Sequence, residues 1–183
     1  IYSMNKLLLT ALLSSYFLSA FSQATFQKVY GGTGYSYCRE VQKTNDGGYI
    51  LVGSTNTLGA GGYDVYVIKI NSDGDTLWTR TFGGGSDDFG NSIQQTRDGG
   101  YVISGQSSSF SGNPNNYIVK TDANGDTLWT RVCTAFGISD GYCVRQALDG
   151  GYFVSGTTNG IGGNTDIGLM KLDSNGVVLW GKY

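Results

Sequence analysis

The chain has 183 residues, only 14% of them charged, and a formal net charge of −2. This composition excludes the basic footprint of a nucleic-acid-binding protein and the polybasic patch that binds anionic lipids. Thirty glycines occur with one proline and no Gly-X-Y period, and 13% of the residues are aromatic. Without a Gly-X-Y period, the glycines are assigned to turns and not to a collagen helix. The aromatic content indicates a folded domain, because disordered segments rarely reach it.

The first predicted element is a secretory signal peptide over residues 4–24. Lys6 precedes an apolar run over residues 7–21, and small residues follow, with cleavage expected after Ser22 or Ala24. This is the order of charged, apolar and small regions in an export signal. We therefore expect a secreted or cell-surface protein with no membrane segment after cleavage, and a retained N-terminal anchor is the alternative. Residues 1–3 precede the first methionine and are interpreted as read-through.

Two markers recur in step along the rest of the chain. The first is a Lys-to-Trp segment at residues 69–78, 120–129 and 171–180, which places the three tryptophans 51 residues apart. The second is Asp-Gly-Gly-Tyr at residues 46–49, 98–101 and 149–152. A tandem repeat with a period near fifty residues indicates a propeller, solenoid or array.

Each repeat predicts four short strands between Gly, Asn and Asp turns. A leading strand at 26–32 precedes three blades at about 33–83, 84–134 and 135–183. The prediction is an all-β protein of β-propeller type with antiparallel four-stranded blades. Roughly four to eight blades normally close a propeller, so we expect three repeats to be a truncated one. The predicted strands cover residues 35–44, 49–54, 64–70, 76–82, 89–96, 101–107, 117–121, 127–132, 142–147, 152–156, 167–172 and 177–182.

A Leu-Trp pair such as Leu128-Trp129 is the predicted packing element of each repeat. Adjacent side chains on a strand point to opposite faces, and neighbouring blades cover both faces of a blade. We therefore expect both residues to be buried, with the tryptophan as a wedge between blades that contributes about 2–3 kcal/mol. An Asn-Gly or Asp-Gly pair lies shortly before each Leu-Trp pair and predicts a tight hairpin in which Gly supplies φ > 0.

These motifs resemble a family of exported tandem-repeat proteins, and the resemblance spans essentially all of the chain after the signal peptide. It implies a β-propeller related in shape to quinoprotein-like and kelch-like propellers, found at the cell surface and often delivered by type IX secretion. It implies no particular activity. The residues that match the family pattern are Trp78, Arg80, Phe82-Gly83-Gly84, Asp88, Gly90, Ser92-Ile93, Thr96, Asp98-Gly99-Gly100-Tyr101 and the segment 120–129.

The carboxylate-rich turns are a candidate cation site. Asp73-Gly74-Asp75 and residues 122–126 resemble the start of a calcium loop, in which alternate oxygens bind Ca²⁺. The bidentate glutamate of such a loop is missing downstream, and the third copy has Val177 in place of the last acid. A hairpin turn therefore explains the pattern better than a metal site, and we predict no metal ligand.

A lysine lies nine residues before each tryptophan, at Lys69, Lys120 and Lys171. One interpretation is a ring of cations that lines a channel and binds anionic ligands. The preferred interpretation is a lysine that runs along a blade face and pairs with a nearby acid, namely Asp73, Asp122 or Asp173.

Catalytic chemistry has few candidates. With no histidine in the chain, neither a Ser-His-Asp nor a Cys-His mechanism can be built from these residues, and Cys/His zinc sites are excluded. Asp64 and Asp166 precede the third strand of their repeats, and Asn115 takes the matching place in the second repeat. This pattern indicates side chains that stabilise a turn and do not take part in catalysis. We predict no catalytic residue and no cofactor.

The three cysteines leave two interpretations open. Cys133 and Cys143 are compatible with a disulfide that leaves Cys38 free, and the favoured alternative is three buried thiols.

The predicted function is a non-catalytic binding or adhesion scaffold whose partner is a glycan or a protein at the cell surface. Loops 58–62, 110–116 and 160–165, between the second and third strands, differ most between repeats and are expected to contact the ligand. The alternative is part of a secreted carbohydrate-active hydrolase whose catalytic residues lie outside this fragment.

Overall fold

The computed structural model describes residues 27–134, 137–159 and 165–182, and its regular elements are all β-strands. The predicted signal peptide over residues 4–24 lies outside the described residues, as does most of the predicted loop 160–165. Among the described residues, no helix has the length and apolar character needed to cross a membrane. The strands are Ser36–Lys43 (β1), Tyr49–Thr55 (β2), Asp64–Ile70 (β3), Thr76–Phe82 (β4), Asp88–Gln95 (β5), Tyr101–Ser107 (β6), Asn115–Thr121 (β7), Thr127–Cys133 (β8), Ile138–Gln146 (β9), Tyr152–Asn159 (β10), Thr165–Leu172 (β11) and Val178–Lys182 (β12).

The strands form three separate antiparallel sheets of four consecutive strands each. We call them sheet 1 (β1–β4), sheet 2 (β5–β8) and sheet 3 (β9–β12). Each is a simple meander in chain order, as in a propeller blade, so the predicted fold class is confirmed. β9 begins at Ile138, four residues before its predicted start, because bulges in its pairing with β10 let the strand run through Asp140-Gly141.

Neighbouring sheets pack face to face. The face of a sheet that contacts the next sheet is called its trailing face, and the face that contacts the preceding sheet is its leading face. Val52, Val65 and Val67 on the trailing face of sheet 1 meet Ile93 and Ile103 on the leading face of sheet 2 in one buried cluster. A second cluster joins sheets 2 and 3. The core therefore lies between sheets, since a single blade has no interior of its own.

The predicted tryptophan wedge is confirmed at both junctions. Trp78 packs edge to face on Tyr101 of the next sheet, with ring centroids 5.8 Å apart, and Trp129 packs on Tyr152 at the same distance. The prediction for the adjacent leucines was wrong, since Leu128 is 58% exposed and its equivalents are similarly open. The leucine points to the other side of an outermost strand, which the neighbouring sheet does not cover.

Candidate functional site

The two ends of the stacked sheets differ in construction. One end, the turn end, carries the Asp-Gly-Gly-Tyr turns and the Asn-Gly or Asp-Gly hairpins. The other, the loop end, carries the loops between second and third strands and the connections from one sheet to the next. Short turns vary little, whereas longer loops on a rigid scaffold are the usual place for ligand contacts.

The repeat lysines at the turn end are buried and paired. Lys69 lies 2.8 Å from Asp46 and Lys120 lies 2.8 Å from Asp98, and Lys171 pairs with Asp149 in the same way. The lysine is therefore paired as predicted, but its partner is the Asp-Gly-Gly-Tyr aspartate and not the hairpin acid. The hydrogen bonds that Asp46 accepts, chiefly from Lys69, lower its pKa to about 2. Because each ammonium is engaged in this way, the cation-ring interpretation is wrong.

The glycines of Asp-Gly-Gly-Tyr have two different roles. Gly99 has φ +84°, a backbone conformation that residues with a side chain rarely adopt. Gly100 has no room for a side chain, because a Cβ there would lie 2.2 Å from the carbonyl oxygen of Thr121 and 2.8 Å from Nζ of Lys120. The two sequence markers thus form one unit, in which the glycine pair lets the lysine reach its aspartate.

The candidate calcium turns are hairpins closed by their own side chains. Oδ1 of Asp122 accepts hydrogen bonds from the backbone N–H groups of Asn124 and Asp126, both at 2.9 Å, and Gly125 has φ +80°. Asn71 and Asp173 do the same in the other repeats. Within residues 27–134, 137–159 and 165–182, no group of three or more His, Cys, Asp or Glu side chains is placed to hold a metal ion.

The loop end presents a row of three aromatic rings, which we call the aromatic row. Tyr37 and Tyr63 have centroids 5.7 Å apart, and Tyr63 and Phe89 have centroids 5.5 Å apart. The Tyr37 and Tyr63 hydroxyl oxygens lie 3.3 Å apart, and Tyr37 is 49% exposed. The row crosses from sheet 1 to sheet 2 on the surface, where its rings and hydroxyl groups can contact a ligand.

A polar groove adjoins the aromatic row. It measures about 500 Å³ and lies between sheets 2 and 3. Phe89 pairs across β5 and β6 with Gln106 of the groove wall, so the row ends beside the groove. Among the described residues of the predicted ligand loops, those that line the groove are Asn113, Pro114 and Asn115. The groove wall consists of Gln106, Asn113, Pro114, Asn115, Gly137, Ile138, Ser139 and Asp140.

Two buried carboxylates support the loops beneath the aromatic row. Oδ2 of Asp64 accepts a hydrogen bond from the Gly61 N–H at 3.0 Å, and Oδ2 of Asp88 accepts from the Gly84 N–H at 2.8 Å and from Ser109 Oγ at 2.6 Å. The two carboxylates lie on either side of Gly83. Both residues are at most 2% exposed, so neither carboxylate contacts a ligand at the surface. For Asp64 the turn interpretation is confirmed.

The charge of Asp64 makes the stability of the fold pH-dependent. Burial raises the pKa of Asp64, and the neighbouring Asp88 adds to this, against the opposing effect of the Gly61 N–H. Because folding raises the pKa of this carboxyl, its own contribution to stability is present in full in acid and is lost as pH rises through the folded-state pKa. Asp64→Asn keeps an acceptor oxygen for the Gly61 N–H and removes the charge. Asparagine is also the residue at the matching position of the second repeat, Asn115. We therefore expect the variant to melt a few degrees higher than the parent at pH 7.

A pair of thermal denaturation series checks this expectation. The gain of Asp64→Asn should vanish near pH 3, where the parent carboxyl is protonated. Asp73→Asn, at an exposed aspartate of the turn end, is the control and should shift neither melting point. Equal gains at both pH values would contradict the assigned role of burial.

The loop end also differs from the turn end in charge. Within its described segments, 31–37, 54–64, 83–91, 105–117 and 137–142, there is no lysine or arginine, whereas Asp87 and Asp140 lie at its surface. Such a surface repels acidic ligands and favours neutral ones or those that carry a cation.

The cysteines are free in the structure. Cys133 is buried, Cys143 is half-buried and Cys38 is exposed. The disulfide interpretation is therefore wrong, and the buried-thiol interpretation holds for Cys133 alone. Burial raises the pKa of the Cys133 thiol to about 11, so it acts as a small apolar side chain.

Comparison with known proteins identifies no family for this chain. No family description and no curated protein matches the chain. Among solved structures, the chain is similar to an α-L-arabinofuranosidase from Clostridium thermocellum ATCC 27405, with 13% identity and a TM-score of 0.47. The match covers 81% of this chain and 50% of that protein, so the chain spans half of its length. A likeness at this level assigns neither activity nor substrate.

The sequence did not predict the aromatic row or the groove. Tyr37 and Phe89 occupy the same position in successive repeats, and a position-by-position comparison of the repeats would have found them. Tyr63 belongs to a loop that differs between repeats, so only the folded structure places it between the other two rings.

Proposed function

We propose that this chain is a non-catalytic, exported propeller-type scaffold that binds a neutral glycan at its loop end. The observation that carries the proposal is the aromatic row beside a polar groove of about 500 Å³. The signal-like residues 4–24 support export, and export would bring the loop end into contact with glycans at or outside the cell surface.

The chemistry of the site suits a sugar chain. One face of a pyranose ring is a patch of C–H groups that packs on an aromatic ring, while its hydroxyl groups need hydrogen-bond partners when water is removed. Tyr37, Tyr63 and Phe89 supply the rings. Gln106, Asn113 and Asn115 supply amide groups that can both donate and accept. The absence of lysine and arginine from the described loop-end segments favours a neutral glycan over an acidic one.

Binding is favoured over hydrolysis by the placement of the carboxylates. A glycosidase needs two carboxyl groups about 5–10 Å apart at the scissile bond. Among the described residues that line the groove, only Asp140 is acidic. Asp64 and Asp88 form a close pair, but they are buried under Gly83. A hydrolase acting in the groove would need a second carboxylate beside Asp140, and the other carboxylate named at the loop-end surface, Asp87, accepts a hydrogen bond from the Tyr63 N–H and is not among the described groove residues.

The test is a binding measurement on a panel of neutral and acidic oligosaccharides, followed by titration calorimetry on the best ligand. We expect Tyr63→Ala to weaken binding at least tenfold, because it removes the central ring of the aromatic row. Leu128→Ala changes an exposed side chain on an outermost strand and should leave the affinity unchanged. Ligand recovered intact after long incubation supports the proposal. Products whose release is lost on replacing one carboxylate would instead favour a hydrolase.

A further inference from the structure

The trailing face of sheet 3 is an apolar surface with no counterpart over it among the described residues. Ile167 is 82% exposed, and Phe153, Leu169 and Trp180 are each more than a third exposed. The equivalent residues on the trailing face of sheet 1 are at most 1% exposed, apart from the half-buried Trp78. A contiguous apolar face of this kind marks an interaction surface. On sheet 1, the residues equivalent to Phe153, Ile167, Leu169 and Trp180 are Ile50, Val65, Val67 and Trp78.

The two junctions between described sheets show what covers such a face. In both, the tryptophan meets the Asp-Gly-Gly-Tyr tyrosine of the next sheet at 5.8 Å with an interplanar angle of 66°. In both, it also lies over the hairpin glycine of that sheet, where a Cβ would be 2.8 Å from the ring of Trp78 or Trp129. One interface is thus used twice with the same geometry.

A basic residue two positions after the tryptophan completes each junction. Arg80 lies over Trp78 and donates to Asp126 of the next sheet at 3.0 Å. Arg131 lies over Trp129 and donates to the backbone oxygen of Asn175 at 2.9 Å. The aromatic ring and the cation therefore bind the hairpin of the following sheet together.

The leading face of sheet 1 receives contacts of the same kind from the segment that precedes β1. Lys28 forms an ion pair with Asp75, which is the equivalent of Asp126, and Tyr30 donates to the carbonyl oxygen of Gly74 at 2.7 Å. Every leading face in the described structure is therefore bound by a preceding segment, which is a strand at sheets 2 and 3 and residues 28–30 at sheet 1, with a basic residue that reaches the hairpin.

Sheet 3 carries the same donor elements, and no described residue forms a sheet that receives them. Lys182 lies over Trp180 at 5.9 Å, and Trp180 packs on Phe153 of its own sheet. We propose that the trailing face of sheet 3 docks the leading face of a further sheet of this same repeat. The tyrosine of that sheet covers Trp180, and its hairpin accepts a hydrogen bond from Lys182. Sheet 1 of a second copy fits less well, because Tyr30 and Lys28 already bind its Gly74 and Asp75.

The test extends the full chain by one repeat, with a copy of residues 82–132 joined after residue 183. Hydrogen exchange followed by mass spectrometry then compares the original 183 residues with and without the extension. We expect amide exchange in β11 and β12 to slow at least tenfold, with exchange in β1–β3 unchanged, and we expect the extended chain to stay monomeric.

A matched control carries Tyr101→Ala and Gly125→Ala in the appended copy only, so the original sheets are untouched. The slowing should be lost in this control, because the appended sheet then lacks the ring and the space that Trp180 needs. Exchange in β11 that is unaffected by the intact extension would overturn the proposal. Dimers of the unextended chain that disappear with Trp180→Ala would also overturn it and assign the face to a second copy.

Discussion

We expect Trp129→Ala to lower the free energy of unfolding by about 3 kcal/mol and Trp180→Ala to lower it by less than about 1 kcal/mol. The two residues occupy the same position of successive repeats. Trp129 is inserted between Tyr152 and the hairpin glycine Gly176 of the next sheet, so its removal leaves a cavity at a junction. Trp180 contacts only its own sheet among the described residues and is 39% exposed.

Urea denaturation of the parent and the two variants measures this difference. Trp78→Ala is the matched control, because its junction has the same geometry, and it should behave like Trp129→Ala. In a repeat protein most stability comes from interfaces between neighbours, so the loss should be largest where a junction is broken. Equal losses for Trp129→Ala and Trp180→Ala would contradict the wedge role.

We expect Asp98→Ala to destabilise the protein by about 3 kcal/mol and Lys120→Met by less than about 1 kcal/mol, although each removes one partner of the same ion pair. The asymmetry follows from burial, since the Lys120 side chain is 4% exposed and the Asp98 side chain is 57% exposed. Removing the acid leaves a buried ammonium without its counter-charge. Removing the lysine leaves a carboxylate that water can solvate and that still accepts hydrogen bonds from Thr96 and Gly100.

Chemical denaturation of the single variants and of Asp98→Ala with Lys120→Met together separates the two effects. The double variant should recover most of the stability lost in Asp98→Ala, because no buried charge remains. A double variant as unstable as Asp98→Ala would show that the turn, and not the buried ammonium, depends on the aspartate.

The sequence predicted the strands well because repeat periodicity and turn chemistry are local. Gly125 needs φ > 0 and Asn-Gly pairs close hairpins, so three copies of one pattern mark the same boundaries three times. The lysine partners were assigned to the nearest acid along the chain. The true partner lies across the sheet beside the neighbouring strand, where the glycine pair of Asp-Gly-Gly-Tyr leaves space for the lysine ammonium group.

The sequence could not predict the candidate site, because the site depends on contacts between residues that are distant along the chain. Tyr63 lies in the loop before β3 and Phe89 lies in β5, 26 residues further along, and their contact depends on how sheet 1 packs on sheet 2. Asp64 was correctly assigned to turn chemistry, yet its proximity to Asp88 follows only from the path of the chain around Gly83. Local patterns predict elements, and the site arises from packing between them.

The most direct test of the proposed function is hydrogen exchange on the complex with the best neutral oligosaccharide. We predict slower exchange confined to the loop end, at the starts of β3 and β5 and around Gln106, with the oligosaccharide recovered intact. Protection centred on the turn end, or cleavage of the bound oligosaccharide, would contradict a non-catalytic glycan-binding scaffold.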